Sequence, residues 1–152
     1  MTNKHEQMAL AAIETETDVD KLLQLIKNAR GKSMVVEKAA FEKLVQLQNT
    51  HQLGTVESAC WQMVHSIETL RKINRRKASP MKRMRPKIEK DGEIGALAYC
   101  VVKGTQGFEE IMSYGLPQFT AEWMVLKYPQ HFDDATRSKA RDRLALRGVE
   151  FH

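Results

Sequence analysis

Val56, Cys60, Met63, Ile67 and Leu70 stand alternately four and three residues apart, and the next step lands on Asn74. This spacing predicts a long helix from Val56 to about Lys77, roughly 33 Å at about 1.5 Å per residue, with one continuous apolar stripe. A stripe of this kind is what a coiled-coil seam needs, and an asparagine in the seam can fix its register. It covers only about two heptads. Packing inside a bundle of the same chain therefore explains it as well, and a homodimer is compatible with it.

The rest of the chain arranges itself around that helix. Thr17 or Asp18 reads as an N-cap, Val19, Leu22, Leu23 and Ile26 follow at helical spacing, and Gly31 supplies a stop. A second helix is predicted from about Met34 to His51, with Val36, Ala39, Ala40, Leu44 and Leu47 as its apolar stripe and Gly54 just past its end. The first sixteen residues have weak patterning and read as a loose tail with one frayed turn around Met8 to Ile13.

Beyond the long helix, Ser79-Pro80 and Arg85-Pro86 bracket a break, because a residue before proline is pushed away from helical geometry. Short helices are then expected from Pro86 to Lys90, Glu93 to Lys103, about Phe108 to Tyr114, and Thr120 to Tyr128. The last starts at Asp133-Asp134, stops at Gly148, and turns Thr136, Ala140 and Leu144 inward. The run Tyr99 to Val102 shows no apolar–polar alternation, so no strand is expected there. The expected class is all-α: an N-terminal helical bundle with one long helix, a kinked basic connection, then a cluster of short helices. In residue terms these are a flexible tail at 1–16, a helical region at 17–77, a proline-bracketed basic connection at 78–86, and a second helical region at 87–150.

A hydrophobic content of 42% over 152 residues suffices for a real core and argues against global disorder. No apolar run is long enough to span a bilayer, and Met1 to Glu6 lack the basic-then-apolar order of a secretory signal. The expectation is therefore a cytoplasmic chain without a membrane partner. In that compartment Cys60 and Cys100, both inside apolar stretches, read as buried small hydrophobes.

The net charge of +5 conceals a strong segregation. Residues 1–70 carry 7 basic and 9 acidic side chains, residues 91–152 carry 7 and 9, and residues 71–90 carry 10 and 1. Excess positive charge confined to twenty residues points to a polyanionic partner. Arg71 and Arg75, like Lys72 and Arg76, are four apart and would repel on one helix face; phosphates with release of condensed counterions would relieve that repulsion. Met81 to Arg85 could lie extended along a backbone. The bland account, that basic residues favour a helix C-terminus, covers Arg75, Arg76 and Lys77 but not Lys82, Arg83, Arg85 and Lys87 across the break.

The expected function is a small nucleic-acid-binding regulator or accessory factor, with DNA ahead of RNA and contacts dominated by the phosphate backbone. Arg71, Lys72, Arg75, Arg76, Lys77, Lys82, Arg83, Arg85, Lys87 and Lys90 would make those contacts. The alternative is an adaptor or inhibitor that docks the same segment on an acidic protein surface, with methionine-rich helices adding apolar contacts. Base readout is not expected. Ile88, Gly92, Ala98 and Val101 are loosely spaced as in a helix-turn-helix, but the helix from Glu93 to Lys103 offers base edges little beyond Glu93, Tyr99 and Lys103. The basic part also follows the apolar stripe, the reverse of a leucine-zipper protein.

No catalytic set is expected, no cofactor and no metal. Gly31-Lys32-Ser33 has Ile26 where a phosphate loop needs glycine, and reads as a helix stop. His5, His51, His65, His131 and His152 lack ligand spacing. No lysine has a carboxylate two positions before it, as a metal-dependent nuclease would. Glu109-Glu110 and Asp133-Asp134 read as solvated faces or caps. Trp61, Phe108, Tyr114, Phe119, Trp123 and Tyr128 could stack on bases, but Trp123 with Ala121, Met124, Val125 and Tyr128 fits a buried face better.

Overall fold

Six of the eight described helices begin where a short polar side chain catches free backbone N–H groups. The computed structural model describes residues 3–74 and 84–151, and among them the chain is all-α, with no strand. The helices are α1 (Lys4–Thr15), α2 (Val19–Ala29), α3 (Met34–Gln48), α4 (Val56–Ile73), α5 (Met84–Lys103), α6 (Gln106–Tyr114), α7 (Ala121–Lys127) and α8 (Asp134–Leu146). Asp18, Ser33, Thr55, Thr120 and Asp133 cap α2, α3, α4, α7 and α8 by accepting backbone N–H bonds. Single 3₁₀ turns at Pro117–Phe119 and Pro129–His131 flank α7. No described helix is long and apolar enough to cross a membrane.

The chain divides into two compact units, Met1–Thr50 and His51–His152. In the first, α3 packs against both α1 and α2. The expected loose tail is instead α1, a twelve-residue helix. Asn3 and Glu6 form a reciprocal capping box, the Ser33 hydroxyl donates to the Glu6 carboxylate, and Ile13 is buried. The α3 face is rotated from expectation. Val36, Ala40 and Leu44 are buried with Phe41 and Val45, while Ala39 and Leu47 are only half-buried.

In the second unit α4 packs against α5, α6 and α7, and α5 and α7 both pack against α8. The stripe Val56, Cys60, Met63, Ile67 and Leu70 is buried as expected, but so are Ser58, Ala59, Val64, Ser66, Thr69 and Ile73. With 11 of its 18 residues buried, α4 is a central helix and its stripe is spent within the chain. It stops at Ile73 with Asn74 as C-cap, and the expected extension to Lys77 lies outside the described residues. Close approach of α6 to α4 needs Gly107, where a β-carbon would sit 2.5 Å from the Ile67 Cδ1. Gly92, at φ 79° and ψ 172°, kinks α5 in a conformation almost confined to glycine. The kink separates the two helices read from sequence, although the first begins at Met84 and takes Arg85 and Pro86 out of the expected connection. In α8, Thr136, Ala140 and Leu144 face inward as expected.

Candidate nucleic-acid interface

The basic segment spans the end of α4 and the start of α5 in the sequence. Of its ten basic residues, Arg71, Lys72, Arg85, Lys87 and Lys90 are described; Arg75, Arg76, Lys77, Lys82 and Arg83 lie outside the described residues. Arg71 donates from Nη2 and Nε to the Glu110 carboxylate on α6 at 2.9 and 3.2 Å. Arg85 donates in the same two-pronged way to Glu68 on α4, at 2.7 and 3.1 Å. Lys87 pairs with Asp91 at 2.6 Å, one turn on, and lies over the Tyr99 ring at 4.6 Å. Lys72 and Lys90 are exposed and form no ion pair among the described residues.

Two-pronged guanidinium–carboxylate contacts fix orientation as well as charge. The Glu68 hydrogen bonds hold Arg85 above the ordinary arginine range, so it stays a cation. Hydrogen bonding to each other raises Lys87 and lowers Asp91 in the same sense. The segment is thus anchored on both sides by an arginine bound to a glutamate from another helix. The sequence between the anchors, residues 72–84, holds six basic residues and no acidic one.

Beside the Arg85 anchor lies an aromatic cluster. Arg85 sits over the Trp61 ring at 5.3 Å. His51 stacks on the same indole, with ring centroids 5.6 Å apart and planes 13° from parallel, and His65 is tilted against it at 6.1 Å. Trp61, His65 and Glu68 share a face of α4, while His51 comes from the exposed bend before that helix. Burial holds the His65 imidazole below its ordinary value, and the charges of Arg85 and His51 add to this against the pull of Glu68. The Trp61 indole N–H is buried and finds no acceptor among the described residues.

Three further ionisable groups of this unit, Cys60, Cys100 and Glu122, are enclosed. Cys60 and Cys100 are buried free thiols; burial pushes Cys60 up and Cys100 up to about 12, far from a reactive thiolate. Glu122 is 1% exposed, with Arg143 Nη1 3.1 Å from its Oε2, close enough for attraction but without hydrogen-bond alignment. Burial dominates and carries its carboxyl up to about 7. Arg143 itself is held by the Val101 carbonyl and lies over the Phe108 ring at 4.7 Å. No group of three or more metal-binding side chains occurs among the described residues.

Sequence reasoning placed Arg71 and Arg85 among the phosphate contacts and missed the carboxylates that hold them. It read Glu110 as part of a solvated face, whereas Glu110 is half-buried against Arg71. Asp133 is the cap it was read to be, and Asp134 is exposed and paired with Arg137. The spacing Trp61, His65, Glu68 was the available signal for the aromatic cluster; nothing local marks a partner 39 residues away. Comparison of the chain with known protein families, curated proteins and solved structures returned no match.

Proposed function

We propose that this chain is a nucleic-acid-binding protein, a regulator or accessory factor, that grips phosphates through the segment between Arg71 and Lys90, with DNA ahead of RNA. The observation that carries the reading is the segregation of charge: ten basic residues against one acidic in twenty positions, between flanks that are both slightly acidic. The ion pairs refine it. Arg71, Arg85 and Lys87 already neutralise Glu110, Glu68 and Asp91, which makes them anchors rather than primary phosphate ligands. Lys72, Arg75, Arg76, Lys77, Lys82, Arg83 and Lys90 are then the candidates for direct contact.

Seven contacts on duplex DNA correspond to a slope of log affinity against log salt of about −6. Fluorescence anisotropy with labelled duplex DNA, single-stranded DNA and RNA across a salt series reads this directly. Binding should be steeply salt-sensitive and should collapse in an Arg75/Arg76/Lys82/Arg83→Ala variant; a flat salt response would overturn the reading.

The second reading, docking on an acidic protein surface, draws on Arg71 and Arg85 each already being recognised by a carboxylate. It expects a saturable one-to-one complex with a protein, lost in the same variant, and no retardation of nucleic acid.

A further inference from the structure

We infer that Trp61 is a stacking platform for one unpaired nucleobase, covered in the free protein by His51. The inference rests on the nucleic-acid reading above and narrows it to strands with accessible bases. Three features converge on one indole. Trp61 stands half-buried on the central helix of its unit, with its indole N–H enclosed and without an acceptor among the described residues. The flat contact on it is His51, an exposed residue of an irregular segment, whose ring lies within 13° of parallel at 5.6 Å, an offset-stacked arrangement. The Arg85 guanidinium, itself part of the basic segment, lies over the same ring at 5.3 Å and is fixed there by Glu68.

A nucleobase offers a larger π-face than imidazole and brings its own phosphates to the basic segment, so it can displace His51 from the indole. Arg85 then flanks the stacked base as a cation over the ring system while staying bound to Glu68. Paired bases in a duplex present no free face to such a platform. The phosphate contacts serve both forms, and the platform serves only the single strand.

The test uses the full chain carrying Trp123→Phe, which leaves Trp61 as the sole indole, titrated at low salt with oligo(dT) and with a duplex of equal length. Oligo(dT) should quench Trp61 fluorescence and the duplex should not. Trp61→Ala should weaken oligo(dT) binding about tenfold while duplex binding stays within about twofold. His51→Ala, a change at an exposed residue, should tighten oligo(dT) binding about two- to threefold by uncovering the ring. The quench is also read in the native chain, where Trp61→Phe should abolish it with circular dichroism unchanged. Salt-sensitive binding of both nucleic acids with no quench would overturn the platform and leave the phosphate reading intact. Binding of neither would overturn both.

Discussion

Among the described residues the first unit, Met1–Thr50, buries only apolar side chains, whereas the second, His51–His152, also encloses Ser58, Ser66, Thr69, Thr120, Glu122 and Thr136. In the first unit the polar groups that matter stand at helix ends: Asn3, Glu6, Asp18 and Ser33 satisfy N–H groups that the helices leave open. In the second, ion pairs run from helix to helix, from Arg71 to Glu110, Arg85 to Glu68, Arg143 to Glu122 and Arg147 to Glu109. Every tryptophan and tyrosine of the chain falls in the second unit, and the lone aromatic of the first is Phe41. Charge is costly to enclose, and a small three-helix unit has little apolar burial with which to offset it. The candidate site accordingly sits on the unit with the larger core, and the difference makes the two units separately addressable.

The strongest way to break the comparison is Leu44→Ala. This side chain is fully buried in the first unit, and its truncation is expected to cost about 2–5 kcal/mol. In urea the helical circular dichroism should show an early transition while tryptophan fluorescence, which reports only on the second unit, keeps its midpoint. A joint shift of both signals would mean that the units unfold as one.

Acidity should separate the units by a similar amount. Glu122 takes up a proton at about pH 7 when folded and near its ordinary value of 4.5 when unfolded. Folding therefore binds a proton across that window, and the second unit should gain up to about 3 kcal/mol as pH falls through it. His65 works the other way, since its folded value is lowered and it contributes stability that is lost as pH falls. The difference between the native chain and Glu122→Gln isolates the carboxyl: fluorescence-detected urea midpoints should converge toward pH 4.5, where the carboxyl is neutral like the amide, and diverge at pH 7 and above, with the glutamine variant the more resistant. Parallel pH profiles would remove Glu122 as the cause.

Gly92→Ala tests backbone strain within the second unit alone. Nothing lies within 4 Å of the added β-carbon, so the expected loss of about 1–3 kcal/mol comes from the backbone conformation. Thermal melts followed by fluorescence would show it, and a neutral result would mean that the kink relaxes. The smallest effect belongs to the anchor. A double-mutant cycle of Arg71→Ala with Glu110→Ala should give a coupling of about 1 kcal/mol that shrinks with added salt, because both side chains keep some contact with water.

Most of the fold was legible because the caps and stops are local. Asp18, Ser33, Thr55, Asp133 and Gly115 announce helix ends within a few residues of where those ends occur. The miss at α1 came from weighing apolar spacing above chemistry: Asn3 and Glu6 carry a capping-box signature that is visible in the sequence. On α3 the stripe read through Leu47 overlooked Phe41 and Val45, which share its buried face. The site divides in the same way. A concentration of charge can be counted along a chain, so the basic segment was evident. The glutamates that claim Arg71 and Arg85 belong to other helices, and only packing brings them there. Glu122 drew no notice at all, because a carboxylate in sequence gives no hint that it will be enclosed.

The two buried thiols make the second unit a chemical clock. Cys60 on α4 and Cys100 on α5 are free, enclosed, and held in the protonated form that alkylating reagents do not attack. Labelling can proceed only through openings that bring water to them, so its rate relative to an unprotected thiol measures how often this unit breathes. The first unit holds no cysteine and adds nothing to the count. A ligand that closes on the segment between the two helices would slow the clock without touching either sulfur, and the slowing would register its occupancy.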